Sequence, residues 1–137
     1  MIQCTALKIS AKLEKIPILS KFIANSMIKF GLVDYGQFQV QLAVEEAVAN
    51  IIKHGSLEVN DKISIKCQKM DNEIHIIIED PGKPFNQKDV CEPDLKISPL
   101  KRDPGGLGIY FIKKYMDRMD YAYKDGKNIL ILIKYLK

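Results

Sequence analysis

Two pairs of short β-type segments, each joined by a tight-turn signal, limit the possible folds of this sequence more than any other feature. In the first pair, apolar residues alternate with polar ones, which is typical of strands with one buried face. Asp71-Asn72 joins the first pair and Asp125-Gly126 joins the second, and both dipeptides favour hairpin turns. The sequence therefore predicts two hairpins, with strands over 62–68 and 73–79, and over 120–123 and 129–135.

One more strand and three helices complete the predicted order of elements. Residues 2–9 are predicted as a strand, and helical spacing of apolar residues predicts helices over 13–30, over 34–54 with Asp34 as N-cap, and over about 106–117. Helices do not alternate one for one with strands, so a doubly wound parallel sheet is disfavoured. We predict a single α+β domain over 1–137: a two-layer α/β sandwich with three helices on one face of a largely antiparallel mixed sheet.

Composition and charge narrow the class of protein. The chain is 47% hydrophobic and 28% charged, as expected for a globular domain, and its net charge of +4 suits an anionic ligand. Because no stripe rich in both lysine and aromatic residues is present, no direct nucleic-acid binding is expected. The three cysteines form no CxxC pair, which fits reduced thiols. No segment resembles a signal peptide or a membrane span, so we expect a stand-alone cytoplasmic protein without membrane contact.

Two polar residues interrupt the apolar centre of the second predicted helix. Glu46 and Asn50 lie four residues apart and therefore share one helix face. Buried polar groups cost stability unless they are satisfied, so such a pair is typical of a functional site. An amide oxygen suits a hard cation such as Mg²⁺, and a carboxylate can orient a hydroxyl or accept its proton. The same residues also fit the solvated edge of an amphipathic helix.

A second motif, Asp80-Pro81-Gly82-Lys83-Pro84-Phe85, follows the first hairpin directly. A carboxylate at a strand end can accept a hydrogen bond from an exocyclic amine such as that of adenine. Glycine at 82 would let the backbone approach a flat ring closely. Asp-Pro-Gly is also an ordinary turn sequence, and the motif alone does not separate the two interpretations.

Three glycines within four residues open the third predicted helix, at Gly105, Gly106 and Gly108 around Leu107. Exposed backbone N–H groups at a helix start bind phosphate oxygens. Neither a P-loop lysine nor the dinucleotide-binding glycine pattern is present, and a flexible linker is the competing interpretation. Lys101 and Arg102 just before the glycines would neutralise developing negative charge, or form a solvated loop pair.

Together the three motifs resemble those of the GHKL (Bergerat-fold) ATP-binding domains, and among these the small bacterial anti-sigma-factor serine/threonine kinases. The stretch 46–50 resembles the N box of that family, 80–85 its G1 box and 105–109 its G2 box. The resemblance implies that Glu46 is the catalytic glutamate and Asn50 the magnesium ligand. It also implies an adenine contact at Asp80 beside Gly82 and Phe85, phosphate contacts from residues 105–108, and an ATP lid over 83–104.

The same resemblance implies an ATP- and Mg²⁺-dependent kinase that phosphorylates a small anti-sigma-factor antagonist protein. Such kinases also bind a sigma factor in a partner-switching cycle, typically as homodimers. Two other functions stay open at this point. One is a non-catalytic module that uses ATP only to choose its partners. The other is a nucleic-acid binder, whose affinity would fall steeply with salt.

Overall fold

The computed structural model describes residues 2–89 and 107–136 of the chain. Two short 3₁₀ turns lie at Leu13–Lys15 and Gln87–Asp89. The strands and helices, in chain order, are β1 (Gln3–Ser10), α1 (Ile16–Lys29), α2 (Asp34–His54), β2 (Lys62–Met70), β3 (Glu73–Asp80), α3 (Leu107–Tyr115), β4 (Arg118–Lys124) and β5 (Lys127–Tyr135).

The five strands form one sheet in the order β1-β2-β3-β5-β4. All four pairings between these strands are antiparallel. The sheet and the three helices make the α+β sandwich that the sequence predicts, so the predicted fold class is confirmed. The pairing of β3 with β5 is important for function, because it places Asp80 directly opposite Asn128 although 48 residues separate them.

The core lies between the helices and one face of the sheet. The alternating apolar residues of β2 and β3 all point to this face and are fully buried: Ile63, Ile65, Cys67, Ile74, Ile76 and Ile78. Each buried isoleucine stabilises the fold by about 1.5–3 kcal/mol relative to an exposed one. Burial also raises the pKa of the Cys67 thiol to about 11, which keeps it protonated and unreactive.

Both predicted hairpin turns are confirmed. Asp125 and Gly126 have positive φ angles of 55° and 76°, as a two-residue turn between twisted strands requires. Asp71 likewise has a positive φ of 52°.

The predicted N-cap of the second helix is wrong. Val33 occupies the N-cap position of α2, and no side chain caps this end. Asp34 is already the first helical residue and has a φ of 57°, a conformation that aspartate tolerates better than most residues. The first predicted helix begins as a 3₁₀ turn before α1 starts at Ile16. Within the described residues, no helix is both long enough and apolar enough to cross a bilayer.

Candidate functional site

Three distant parts of the chain meet along the second half of α2. A β-carbon added to Gly108, in the first turn of α3, would lie 2.7 Å from Oε2 of Glu46. The loop after β3 contacts the other end of the same helix. There, a β-carbon added to Gly82 would lie 2.2 Å from the carbonyl oxygen of Gly55. Residues 46 and 55 are separated by roughly 14 Å along a helix axis. The two contacts therefore mark the two ends of one stretch of α2, from Glu46 to Gly55, which we call the candidate site.

Asp80 lies at the Gly55 end of the candidate site and is only 3% exposed. Its Oδ1 atom accepts two hydrogen bonds, from the Gly82 N–H at 2.8 Å and from Nδ2 of Asn128 at 3.1 Å. Its second oxygen, Oδ2, accepts none from the described residues. Burial raises the pKa of this carboxyl, and the two hydrogen bonds partly oppose that shift. The site thus holds one oriented acceptor available to a ligand.

Gly82 is required by close packing of backbone on backbone. The Lys83 N–H donates to the Gly55 carbonyl at 3.3 Å, which ties the loop to the end of α2. Any side chain at position 82 would overlap that carbonyl and Oδ1 of Asp80, which lies 2.8 Å from the added β-carbon. The glycine therefore lets the loop lie close to both groups at once.

Asn128 organises this end of the site, and the sequence did not indicate it. Its Nδ2 atom donates to Asp80 and, at 2.8 Å, to the Lys83 carbonyl. Its Oδ1 accepts the Phe85 N–H at 2.9 Å and also the hydroxyl of Tyr121. The predicted strand started at residue 129, so Asn128 was assigned to the turn region. The pairing of β3 with β5, which sets Asn128 opposite Asp80, is what identifies Asn128 as a site residue.

We expect Asn128→Ala to lower the free energy of unfolding by about 3 kcal/mol, because hydrogen bonds to three groups are lost at about 1 kcal/mol each. The groups affected are the Phe85 N–H, the Lys83 carbonyl and the Asp80 carboxylate. Urea denaturation measures the difference. Asn86→Ala is the matched control, since its side chain accepts only the exposed Lys88 N–H, and it should cost less than about 1 kcal/mol. Equal costs for both variants would contradict this role of Asn128.

The hydrogen bonds that hold Phe85 in position are made by its backbone N–H and not by its ring. Its N–H also donates to the hydroxyl of Tyr121 at 3.2 Å, and burial raises the pKa of that hydroxyl. The Phe85 ring is half-buried and lies 6.2 Å from the ring of His54, centroid to centroid. These contacts form an apolar wall beside the Asp80 loop.

Asn50 lies one helical turn from Glu46, and its Nδ2 atom donates to Oε1 of Gln87 at 3.2 Å. Its own Oδ1 accepts no hydrogen bond from the described residues. One amide oxygen fits Mg²⁺, which commonly takes one or two protein oxygens and fills its remaining positions with water and phosphate. Among the described residues, no three His, Cys, Asp or Glu side chains are close enough to form a metal site on their own.

Seven of the eleven predicted site residues lie within the described part of the chain, and four lie outside it. Five of them are arranged along α2 as the preceding geometry describes: Glu46, Asn50, Asp80, Gly82 and Phe85. Leu107 begins α3 and Gly108 follows it against Glu46. Lys101, Arg102, Gly105 and Gly106 lie outside the described residues, as does the part of the predicted lid (83–104) that follows residue 89.

The sequence is similar to those of known proteins. A model of the histidine kinase-like ATPase domain matches residues 9–134. The protein named serine-protein kinase RsbW from Staphylococcus aureus strain bovine RF122 / ET3-1 is 32% identical, over 71% of this chain and 64% of its own length. The protein of the same name from strain MRSA252 gives the same values. This chain thus spans just under two thirds of the length of these relatives. Because the family model covers nearly all of the sequence, the chain belongs to the histidine kinase-like ATPase domain family.

Proposed function

We propose that this chain is an ATP- and Mg²⁺-dependent serine/threonine protein kinase that acts as an anti-sigma regulatory factor. Its substrate would be a serine or threonine hydroxyl on a small antagonist protein, and its other partner a sigma factor. The observation that carries the proposal is the contact between Glu46 and Gly108, which sets a carboxylate against the first turn of a helix.

Phosphoryl transfer requires mainly positioning, which this contact supports, and charge neutralisation. Backbone N–H groups at the start of α3 would bind the phosphates, helped by the helix dipole. The Glu46 carboxylate would accept the proton of the substrate hydroxyl. The hydroxyl oxygen would then bond to the γ-phosphorus as the bond from that phosphorus to ADP breaks. Glycine at 108 leaves the space that the carboxylate occupies.

The Asp80 end of the candidate site supports adenine recognition. Oδ2 of Asp80 would accept the exocyclic amine of adenine, since Oδ1 already holds Gly82 and Asn128. Phe85 and Gly82 would flank the ring. At the phosphate end, the Asn50 amide oxygen would ligate Mg²⁺, which supplies charge neutralisation when bound.

Similarity to proteins named as serine-protein kinases supports the choice of substrate group. Binding of a sigma factor and of an antagonist, assembly as a homodimer and a cytoplasmic location belong to the same proposal. They rest on the family resemblance of the three motifs.

The test is transfer of label from γ-labelled ATP to candidate antagonist proteins in the presence of Mg²⁺. We expect Glu46→Gln to lower the rate of transfer by at least about a hundredfold and to leave ATP binding unchanged. Glu45→Gln is the matched control, because Glu45 is also half-buried on α2 but forms no part of the site. It should keep most of the wild-type rate, since it removes only the charge that Glu45 places near Glu46.

Two outcomes would count against the kinase. Equal transfer by the Glu46→Gln variant would remove the proposed catalytic role. Tight ATP binding without transfer to any antagonist would support a module that regulates partners by binding alone.

A further inference from the structure

Gln87 is the only buried glutamine side chain in the described residues, with 1% of its surface exposed. It lies seven residues after Asp80, in the 3₁₀ turn Gln87–Asp89, where the sequence shows no periodicity. A buried amide costs about 1–3 kcal/mol unless its polar atoms are hydrogen-bonded. Both of its polar atoms are used, since Nε2 donates to the Ala47 carbonyl at 2.9 Å and Oε1 accepts from Asn50.

The polarity of these two hydrogen bonds is fixed by chemistry. A backbone carbonyl can only accept, so Gln87 must turn its NH₂ group to Ala47. Its oxygen then faces Asn50, and an oxygen can only accept, so Asn50 must present its own NH₂ group. The Asn50 oxygen is consequently directed away from Gln87. One main-chain carbonyl thus determines the orientation of an amide one helical turn away.

We propose that Gln87 is a positioning residue that holds the Asn50 amide with its oxygen available to the Mg²⁺ of bound nucleotide. The inference rests on the proposed function, because it assumes that Asn50 ligates the cation. Without Gln87, the Asn50 amide can rotate by half a turn, and in one of its two orientations an NH₂ group faces the cation. Residues that orient a metal ligand typically change metal affinity 10- to 100-fold when they are replaced.

The experiment is a double-mutant cycle read out by calorimetry of ADP binding to the purified chain. The quantity measured is the magnesium increment, meaning the ratio of ADP affinities with and without Mg²⁺. We expect Gln87→Met, which is similar in volume but forms neither hydrogen bond, to lower this increment by about tenfold. Affinity without Mg²⁺ should stay at the wild-type value, which also shows that the variant is folded.

The decisive comparison uses the Asn50→Ala background. If Gln87 acts through Asn50, Gln87→Met has no further effect on the increment once Asn50 is absent. A residue that only supports packing would instead weaken ADP binding equally with and without Mg²⁺. That result would overturn the inference.

Gln87→Leu serves as the second variant if the methionine chain does not fold, since leucine has a volume similar to that of methionine and also forms neither hydrogen bond. It should lower the increment by about tenfold as well. A wild-type increment in Gln87→Leu would contradict the inference.

Different results would contradict the magnesium role of Asn50 and the positioning role of Gln87. If Asn50→Ala leaves the increment unchanged, the proposed magnesium role of Asn50 fails. If Asn50→Ala removes it and Gln87→Met retains it, only the role of Gln87 fails.

Discussion

Replacing Asp80 with asparagine is expected to lower ATP affinity by about a thousandfold and to preserve the fold. The asparagine oxygen can still accept from Gly82 and Asn128, which hold Oδ1 in the wild-type protein. Its NH₂ group replaces Oδ2, so a donor would face the donating amine of adenine. Two opposed donors without partners cost about 4 kcal/mol, which corresponds to about a thousandfold in affinity.

Calorimetry with ATP and Mg²⁺ measures this effect. Asp71→Asn is the matched control, since it changes the net charge equally and lies in the exposed turn at the opposite end of β3 from Asp80. Its ATP affinity should equal that of the wild type. If Asp80→Asn binds ATP as the wild type does, Asp80 is not the adenine acceptor.

The Asp80→Asn chain also reports on the pKa of the carboxyl. Burial raises the folded pKa of Asp80 above its unfolded value of about 3.9, so the folded state binds the proton more tightly. Without nucleotide, the wild type should therefore lose stability relative to the variant as pH rises from about 3 through the folded pKa. Above the folded pKa, the difference in free energy of unfolding between the wild type and the variant should stay constant. Urea denaturation across this range tests the sign, and a difference that does not change with pH would contradict it.

Replacing Gly82 with valine is expected to lower the free energy of unfolding by at least about 3 kcal/mol and to abolish ATP binding. The first added carbon would lie 2.2 Å from the Gly55 carbonyl oxygen, and backbone cannot yield as a flexible side chain can. Overpacking of this kind typically costs 1–3 kcal/mol, and the two further methyl groups add to it. The loop that carries Gly82, one of the two Asp80 partners, would then separate from α2.

Gly36→Ala provides the contrast for this prediction. Its added carbon would lie 2.6 Å from Cδ1 of Leu32, the end of a flexible side chain, and alanine favours a helix over glycine. It should unfold at or above the wild-type urea midpoint and bind ATP normally. If Gly82→Val were as stable as Gly36→Ala, the close approach of the loop to Gly55 would be wrong.

Much of the fold follows from local patterns in the sequence. The helix predicted over 34–54 has the observed bounds of α2, because an apolar stripe fills it and Gly55 ends it. The hairpin at Asp125-Gly126 is correct because few dipeptides adopt two positive φ angles. In both places, neighbours along the chain determine the structure.

The residues that sequence reasoning missed depend on distant partners. Asn128 matters because strand register places it opposite Asp80, and Gln87 because its loop folds against Ala47. Neither partner is near in sequence, so no local pattern identifies them. The predicted N-cap at Asp34 failed for a related reason, since the turn after α1 leads into the helix through Val33.

The most direct test of a shared nucleotide site is an NMR titration of glycine-labelled protein with ATP and Mg²⁺. The chain has eight glycines, and each gives one backbone signal. We expect Gly82, Gly105, Gly106 and Gly108 to shift together at one ATP per chain, while Gly31 and Gly126 stay in place. Shifts at Gly82 without shifts at Gly108, the reverse, or saturation at separate ATP concentrations would contradict a single site formed by all three segments.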